Sequence, residues 1–294
     1  MFLVSSKEML KKAQREYYAI PSFNIYNLEM IQVITETASE MRSPVIISVL
    51  PSTIKYIGLE FLIAICQQAA HKHALPLALH FEQQQSYQDA IYYIQKGIRS
   101  ISLTIPQATY QKHVDKLQEV VKLSRDYEAN IEVEISLNNA LLKKKSLHED
   151  QSSLDKPSPL DTEKLNIKII NQLANQIDID AISIPIGEHQ GLHQFKPTLN
   201  FITLRKLQSQ ITQPLVLSSI SNYPDSMIRK AISLGICKIN IQEELSIAFS
   251  DGIKRHFMEH PNSKDPRFYL VPAKSVMKRV VIDKINLCQS AGRI

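Results

Sequence analysis

The chain has 294 residues, 44% of them hydrophobic and 21% charged, which suits one α/β barrel or two smaller domains with a sizeable buried core. Its formal charge of +5 is spread along the chain; the nearest basic run, Lys143-Lys144-Lys145, is followed closely by Glu149-Asp150 and reads as a solvated loop, so no nucleic-acid surface is expected. No segment has the apolar length to span a bilayer, the apolar start is too short for a signal sequence, and Cys66, Cys237 and Cys288 form no C-x-x-C pair, so reduced thiols and a cytoplasmic location are expected.

Short β-branched runs alternate with longer helical patterns, the mark of βα units and a parallel sheet. Strands are predicted near Ala19–Asn24, Pro44–Leu50, Leu75–Phe81 and Ser100–Leu103, then near Ile131–Ile135, Ala181–Ile186, Pro214–Leu217 and Cys237–Ile241. The spacing predicts helices over Leu28–Arg42, Leu59–His73, Tyr87–Lys96, Ala108–Tyr127, Thr162–Gln176, Asn200–Gln210, Asp225–Leu234 and Glu244–Glu259. A tail helix near Lys274–Gln289 forms a C-terminal extension. Asn27 suits the N-cap of the first helix, and Pro224 the first turn of the one near Asp225.

Eight strands too apolar to carry a wet face predict a closed (β/α)8 TIM barrel, one α/β domain over residues 1–294. A doubly wound open sheet is the runner-up, but no Gly-rich first βα turn is present. The stretch Leu137–Leu160, rich in Lys, Ser, Asp and Pro, is long for a connection and is expected to be mobile, over the barrel mouth or at its rim. In such a barrel the chemistry belongs at the C-terminal ends of the strands. Those positions are His80–Gln85, Thr104–Gln107, Glu132–Asn139, Gly187–His193, Leu217–Ser221 and Asn240–Glu244. Only seven glycines occur, about a third of the usual frequency, so the chain is short of the loops that hold phosphate by backbone N–H groups.

At these positions the sequence resembles a known family. YAIPSFNIYNLEMIQVI, MRSPVIISVLPSTIKYI, PLALHFEQQQS, IGEHQGLH, PLVLSSIS, LGICKINIQEELSIAF and the tail from NSKDPRFYL to VMKRVVIDKINLCQSAGRI resemble the zinc-dependent class II ketose-bisphosphate aldolases, most closely their tagatose-bisphosphate branch. The resemblance runs nearly end to end, except at the 137–160 loop. It implies a (β/α)8 barrel, a homodimer or homotetramer, and an ancestral reversible cleavage of a ketose bisphosphate into dihydroxyacetone phosphate and an aldehyde phosphate. It also implies a zinc ion on three imidazoles, acting as a Lewis acid on the enediolate, with a carboxylate beside it to move the proton.

The family motif H-x-D-H after the third strand reads His80-Phe81-Glu82-Gln83 here. Glu82 keeps a carboxylate at the proton-carrier position, one methylene longer, and Gln83 stands where a zinc imidazole is needed. The motif G-x-x-H-G after the sixth strand becomes Gly187-Glu188-His189-Gln190-Gly191, with Gln190 at the zinc position and His189 one residue early. The motif H-G-A-S after the seventh becomes Ser218-Ser219-Ile220-Ser221, with Ser218 at the zinc position. Cys, His, Asp and Glu are the ligands zinc takes, so the resemblance implies a lost zinc site and no cofactor.

The phosphate loop N-x-A-T becomes Asn240-Ile241-Gln242-Glu243, which sets a carboxylate where a phosphate would sit. Gly191, Asn240, Ser219 and Ser221 are what the resemblance leaves as degenerate substrate-binding positions. Thr104-Ile105-Pro106-Gln107 replaces an acidic-glycine turn, and Asn138-Asn139-Ala140-Leu141-Leu142 replaces a glycine-rich loop.

Plainer readings stand beside these. Glu132 and Glu134 alternate on one strand and read as a hydrogen-bonded remnant inside the mouth; a metal pair would need more partners. Glu188, His189 and His193 suit cap and surface roles better than a relocated acid–base site. His80 reads as a satisfied interior histidine, and Gln83-Gln84-Gln85 as a polar loop. The leading expectation is a catalytically degenerate homologue acting as a regulatory or stabilising partner of an active aldolase paralogue, or binding a less charged ligand. The alternatives are metal-independent acid–base chemistry by Glu82 with His189 and Glu188, and an authentic aldolase with an unusual metal site.

Overall fold

The computed structural model describes residues 3–106, 109–136, 159–184, 187–188, 198–218, 220–221 and 223–294, without the side chains of 136, 159–166, 187–188 and 198. Helix α1 (Ser6–Glu16) precedes β1 (Ile20–Asn24), α2 (Leu28–Glu40), β2 (Val45–Val49), α3 (Pro51–Ile57) and α4 (Leu59–His73). Then come β3 (Leu77–Gln84), α5 (Tyr87–Gln95), β4 (Ser100–Pro106), α6 (Tyr110–Asp126) and β5 (Asn130–Ser136). The second half holds α7 (Pro159–Gln176), β6 (Ala181–Ile184), a short pair β7 (Gly187–Glu188) and β8 (Thr198–Leu199), and α8 (Phe201–Gln210). It ends with β9 (Leu215–Leu217), α9 (Asp225–Ser233), β10 (Ile236–Ile241), α10 (Glu243–Glu259) and α11 (Pro266–Leu287).

The strands close a parallel barrel in the order β1-β10-β9-β6-β5-β4-β3-β2, as the alternating pattern predicts. Antiparallel β7 and β8 pair outside it, a feature the sequence reading lacked. Asn27 caps α2 by accepting from the Met30 N–H. Pro224 falls at the N-cap of α9, one position before the first turn. The tail helix starts at Pro266, eight residues before its predicted start, and runs through Pro272. It packs on α10 so closely that a Cβ on Gly252 would lie 2.5 Å from the Ala273 Cα. The predicted 137–160 loop lies mostly outside the described residues; its last two, Pro159 and Leu160, open α7.

Side chains of a strand alternate between faces, so one interior residue fixes the rest. Ile20, Ile46, Ala78, Ala181 and Val216 form a buried apolar floor with Leu10 and Ala13 of α1. Helix α1 therefore plugs the N-terminal end of the barrel, and burying Leu10 there contributes about 2 kcal/mol. No helix is predicted over this segment from its composition; the local sign of one is Ser5, which caps it by accepting from the Lys7 N–H.

Two residues up each strand the interior turns polar: Ser22, Ser48, His80, Ser183 and Lys238 sit above that floor, with Ser102 and Glu132 beside them, all buried. One step further, Asn24, Glu82, Thr104, Glu134, Ser218 and Asn240 ring the mouth. An ordinary barrel fills such layers with Val, Ile and Leu. All three cysteines are free and buried, and burial pushes each thiol up to about 12, so none is a reactive thiol.

Candidate functional site

The polar interior is wired around Lys238. Its Nζ donates to Glu132 Oε2 at 2.7 Å, and both side chains are at most 2% exposed. The same Nζ lies 3.1 Å from His80 Nε2. An ammonium has only donors, so Nε2 accepts and the proton of His80 sits on Nδ1. Nδ1 then donates to Ser100 Oγ at 2.7 Å, and Ser100 lies 2.6 Å from Ser6 Oγ on α1. Burial, reinforced by Lys238, drives the His80 pKa well below its usual range. His80 is therefore a satisfied neutral interior histidine, and its 4.0 Å approach to Glu132 is not an ion pair.

Glu82 reaches in from the end of β3. Its Oε1 accepts from Ser48 Oγ at 3.0 Å and lies 4.0 Å from Lys238 Nζ. Burial pushes its carboxyl up to about 7; Lys238 opposes the shift, while Glu132 and Glu134 add to it. Glu134 is raised too, by burial first, against the hydrogen bond that its Oε2 accepts from Thr104 at 3.1 Å. Glu132 and Glu134 thus do sit inside the mouth as hydrogen-bonded groups, with different partners.

Gln83 follows Glu82 in a left-handed backbone conformation, φ 54°, at a shift of register between β3 and β4. Its side chain is exposed. Gln84 returns to the interior and donates to the Glu82 carbonyl at 2.8 Å. The expected polar loop over residues 83–85 is thus a bulged strand end through Gln84. Ser218 lies just past β9, half-buried, and Ser221 stands in the following turn. Gln190, Gly191, Ser219, His189 and His193 lie outside the described residues, as does the side chain of Glu188. Asn240 lines the mouth, and its Oδ1 is buried with no partner among the described residues. Glu243 is the exposed first residue of α10.

The residues at the three family zinc positions do not fit zinc. Two are amides and one a hydroxyl, where zinc takes imidazole, thiolate or carboxylate. No three His, Cys, Asp or Glu side chains among the described residues are grouped to hold a metal. Lys238 escaped the sequence reading; the signal was a lone cation at an inward position of the run ICKINI, two residues before Asn240.

The family described as fructose-bisphosphate aldolase class-II matches residues 4–293. The D-tagatose-1,6-bisphosphate aldolase subunit GatY of Klebsiella oxytoca is 39% identical over all 294 residues, covering 100% of both chains. Among solved structures, the YdjI aldolase of Escherichia coli K12 is similar with a TM-score of 0.78 at 22% identity, covering 99% of each chain. A fructose-bisphosphate aldolase of Campylobacter jejuni gives 0.78 at 15% identity, covering 99% of this chain and 97% of its own. These two likenesses speak for the barrel, and the match along the whole sequence speaks for descent. The chain belongs to the class II fructose-bisphosphate aldolase family.

Proposed function

We propose that this chain is a family member without zinc-assisted aldol cleavage, serving as a non-catalytic subunit beside an active aldolase paralogue in carbohydrate metabolism. The observation that carries the reading is the donor set. Gln83, Gln190 and Ser218 replace three converging imidazoles, and Gln83 presents an exposed amide on a left-handed backbone. Glu243, opening α10, meets a phosphate with like charge. Full-length similarity to a protein described as an aldolase subunit supports a partner role and assembly as a homodimer or homotetramer. A cytoplasmic setting goes with that role; no helix among the described residues is long and apolar enough to cross a membrane.

The test is zinc content by elemental analysis after growth with added zinc, beside cleavage assays on tagatose and fructose bisphosphates. The expected result is less than about a tenth of a zinc per chain and no cleavage, with co-purification and altered activity on mixing with an active paralogue. Near-stoichiometric zinc with cleavage refutes the loss; an inert mixture refutes the partner role.

A second reading rests on Glu82. A buried carboxyl titrating at about 7 at the mouth of a barrel suits a general acid–base group acting without metal. Turnover on a small polar substrate that survives Glu82→Gln sinks that assignment.

A further inference from the structure

The mouth of the barrel holds more negative charge and more unpartnered oxygen than its own cations and donors satisfy. Of the three inward carboxylates, Glu132 is neutralised by Lys238 at 2.7 Å. Glu82 has a serine hydroxyl at 3.0 Å and only a distant ammonium at 4.0 Å. Glu134 has one threonine hydroxyl, on Oε2. One ammonium thus serves two carboxyl groups, Glu134 has no cation in ion-pair reach among the described residues, and His80, whose Nε2 accepts from Lys238, supplies none.

A second observation is independent of the carboxylates. Asn24 Oδ1 and Ser183 Oγ are buried with no hydrogen-bond partner among the described residues, and each residue is 2% exposed. Asn240 Oδ1 is likewise buried and unpartnered. Strand alternation turns all three inward, Asn24 above Ser22, Asn240 above Lys238 and Ser183 above Ala181. A buried acceptor without a donor costs about 1–3 kcal/mol, so the two amide oxygens of the mouth, with the Ser183 hydroxyl one layer below, call for an occupant.

That occupant has a chemical signature. It must be electron-poor toward oxygen, carry about two positive charges and need no imidazole or thiolate. Carboxylate and amide carbonyl oxygens select hard cations over zinc. We propose that Glu82, Glu134, Asn24 and Asn240 hold a hard divalent cation of the magnesium–calcium class at the mouth of the barrel, one layer above Ser183. Two of the four donors are amides, which is why no group of three acidic, His or Cys ligands marks the place. Calcium uses the amide carbonyls directly, whereas magnesium keeps several waters between itself and them.

The inference rests on the reading that zinc is lost, and the experiment separates the two. Whole protein is stripped with chelator and dialysed at neutral pH against zinc, magnesium or calcium, and bound metal and thermal midpoint are measured. The expected result is about one magnesium or calcium per chain, with a raised midpoint and little zinc. Glu134→Gln should weaken that binding about tenfold or more. Asn24→Asp adds a charge to the set and should tighten it, an effect of opposite sign that a merely structural asparagine would not produce; it also carries the test if Glu134→Gln fails to fold. Binding of neither magnesium nor calcium overturns the cation site and leaves the zinc reading standing. Binding that both variants leave unchanged places the ion elsewhere and also overturns it. Stoichiometric zinc in preference to both overturns the two together.

Discussion

Replacing Lys238 by Met tests the wiring of the barrel interior. The ammonium is buried beside Glu132 at 2.7 Å and His80 at 3.1 Å, so Met fills much of its volume and removes its charge. Breaking a buried pair from one side leaves a carboxylate without a partner, which costs about 3–5 kcal/mol. For a domain of this size that lowers the thermal midpoint by roughly 5–8 °C. The double variant Glu132→Leu/Lys238→Met leaves no orphaned charge, so it should recover most of the loss. The defect should also depend on pH. His80 is held neutral by burial and by Lys238, and its Nε2 lies 4.0 Å from Glu132. Without Lys238 the imidazole becomes the cation nearest that carboxylate, so its folded pKa rises and protonation restores a pair. The variant should lose most stability above neutral pH and approach the parent on mild acidification. Urea titrations of the parent, both singles and the double over a pH series give the four corners of the cycle. A Lys238→Met loss below about 1 kcal/mol at neutral pH, or a double variant no better than the worse single, refutes the account.

The second prediction concerns Glu82, whose folded pKa of about 7 stands above its unfolded range. A raised carboxyl pKa gives stability that is present below the unfolded value and lost as pH rises through the folded one, here from about pH 4.5 to 7. In protein stripped with chelator, Glu82→Gln should abolish that slope and gain about 3 kcal/mol relative to the parent above pH 7; parallel slopes in the two proteins would refute it. The third concerns the α10–α11 contact. Gly252→Ala forces a Cβ to 2.5 Å from the Ala273 Cα, backbone that cannot step aside alone, and should cost about 1–3 kcal/mol in urea unfolding. A neutral result would mean that the two helices slide apart freely.

Strands were legible because the barrel buries both faces of each, so apolar runs stand out against helical spacing. Leu59–His73 agrees residue for residue because Gly58 and Ala74 bound it with positive φ values of 91° and 47°. β3 was read short, ending at Phe81, because the bulge at Gln83 hides a strand end inside what looks like a polar loop. Pro272 does not end the tail helix; the helix packing around Gly252 and Ala273 overrides the breaker. In the site, the motif comparison located Glu82, Glu132, Glu134 and Asn240, since each is a polar residue at a strand end. Lys238 and Ser6 were missed for one reason: each gains its role from a partner more than ninety residues away, Ser6 from Ser100 and Lys238 from Glu132 and His80. Sequence spacing carries no trace of such pairings.

The plug at the foot of the barrel has a consequence for the order of assembly. Leu10 and Ala13 of helix α1 share a buried cluster with Val216 and Cys237, and Lys12 donates to the carbonyl of Arg293, 281 residues downstream. The first strand pairs with the second early, but its other neighbour is the last, with Ile20 opposite Lys238. A chain emerging from the ribosome can build its middle βα units, and Ser6 can meet Ser100, while the part of the docking surface made by the last strands is still missing. Closing a loop of that length costs roughly 5 kcal/mol of chain entropy, recovered only when the last strand arrives. Closure of the ring, seating of the plug and pairing of Lys238 with Glu132 therefore fall together at the end of synthesis, and until then Glu132 has no cation beside it.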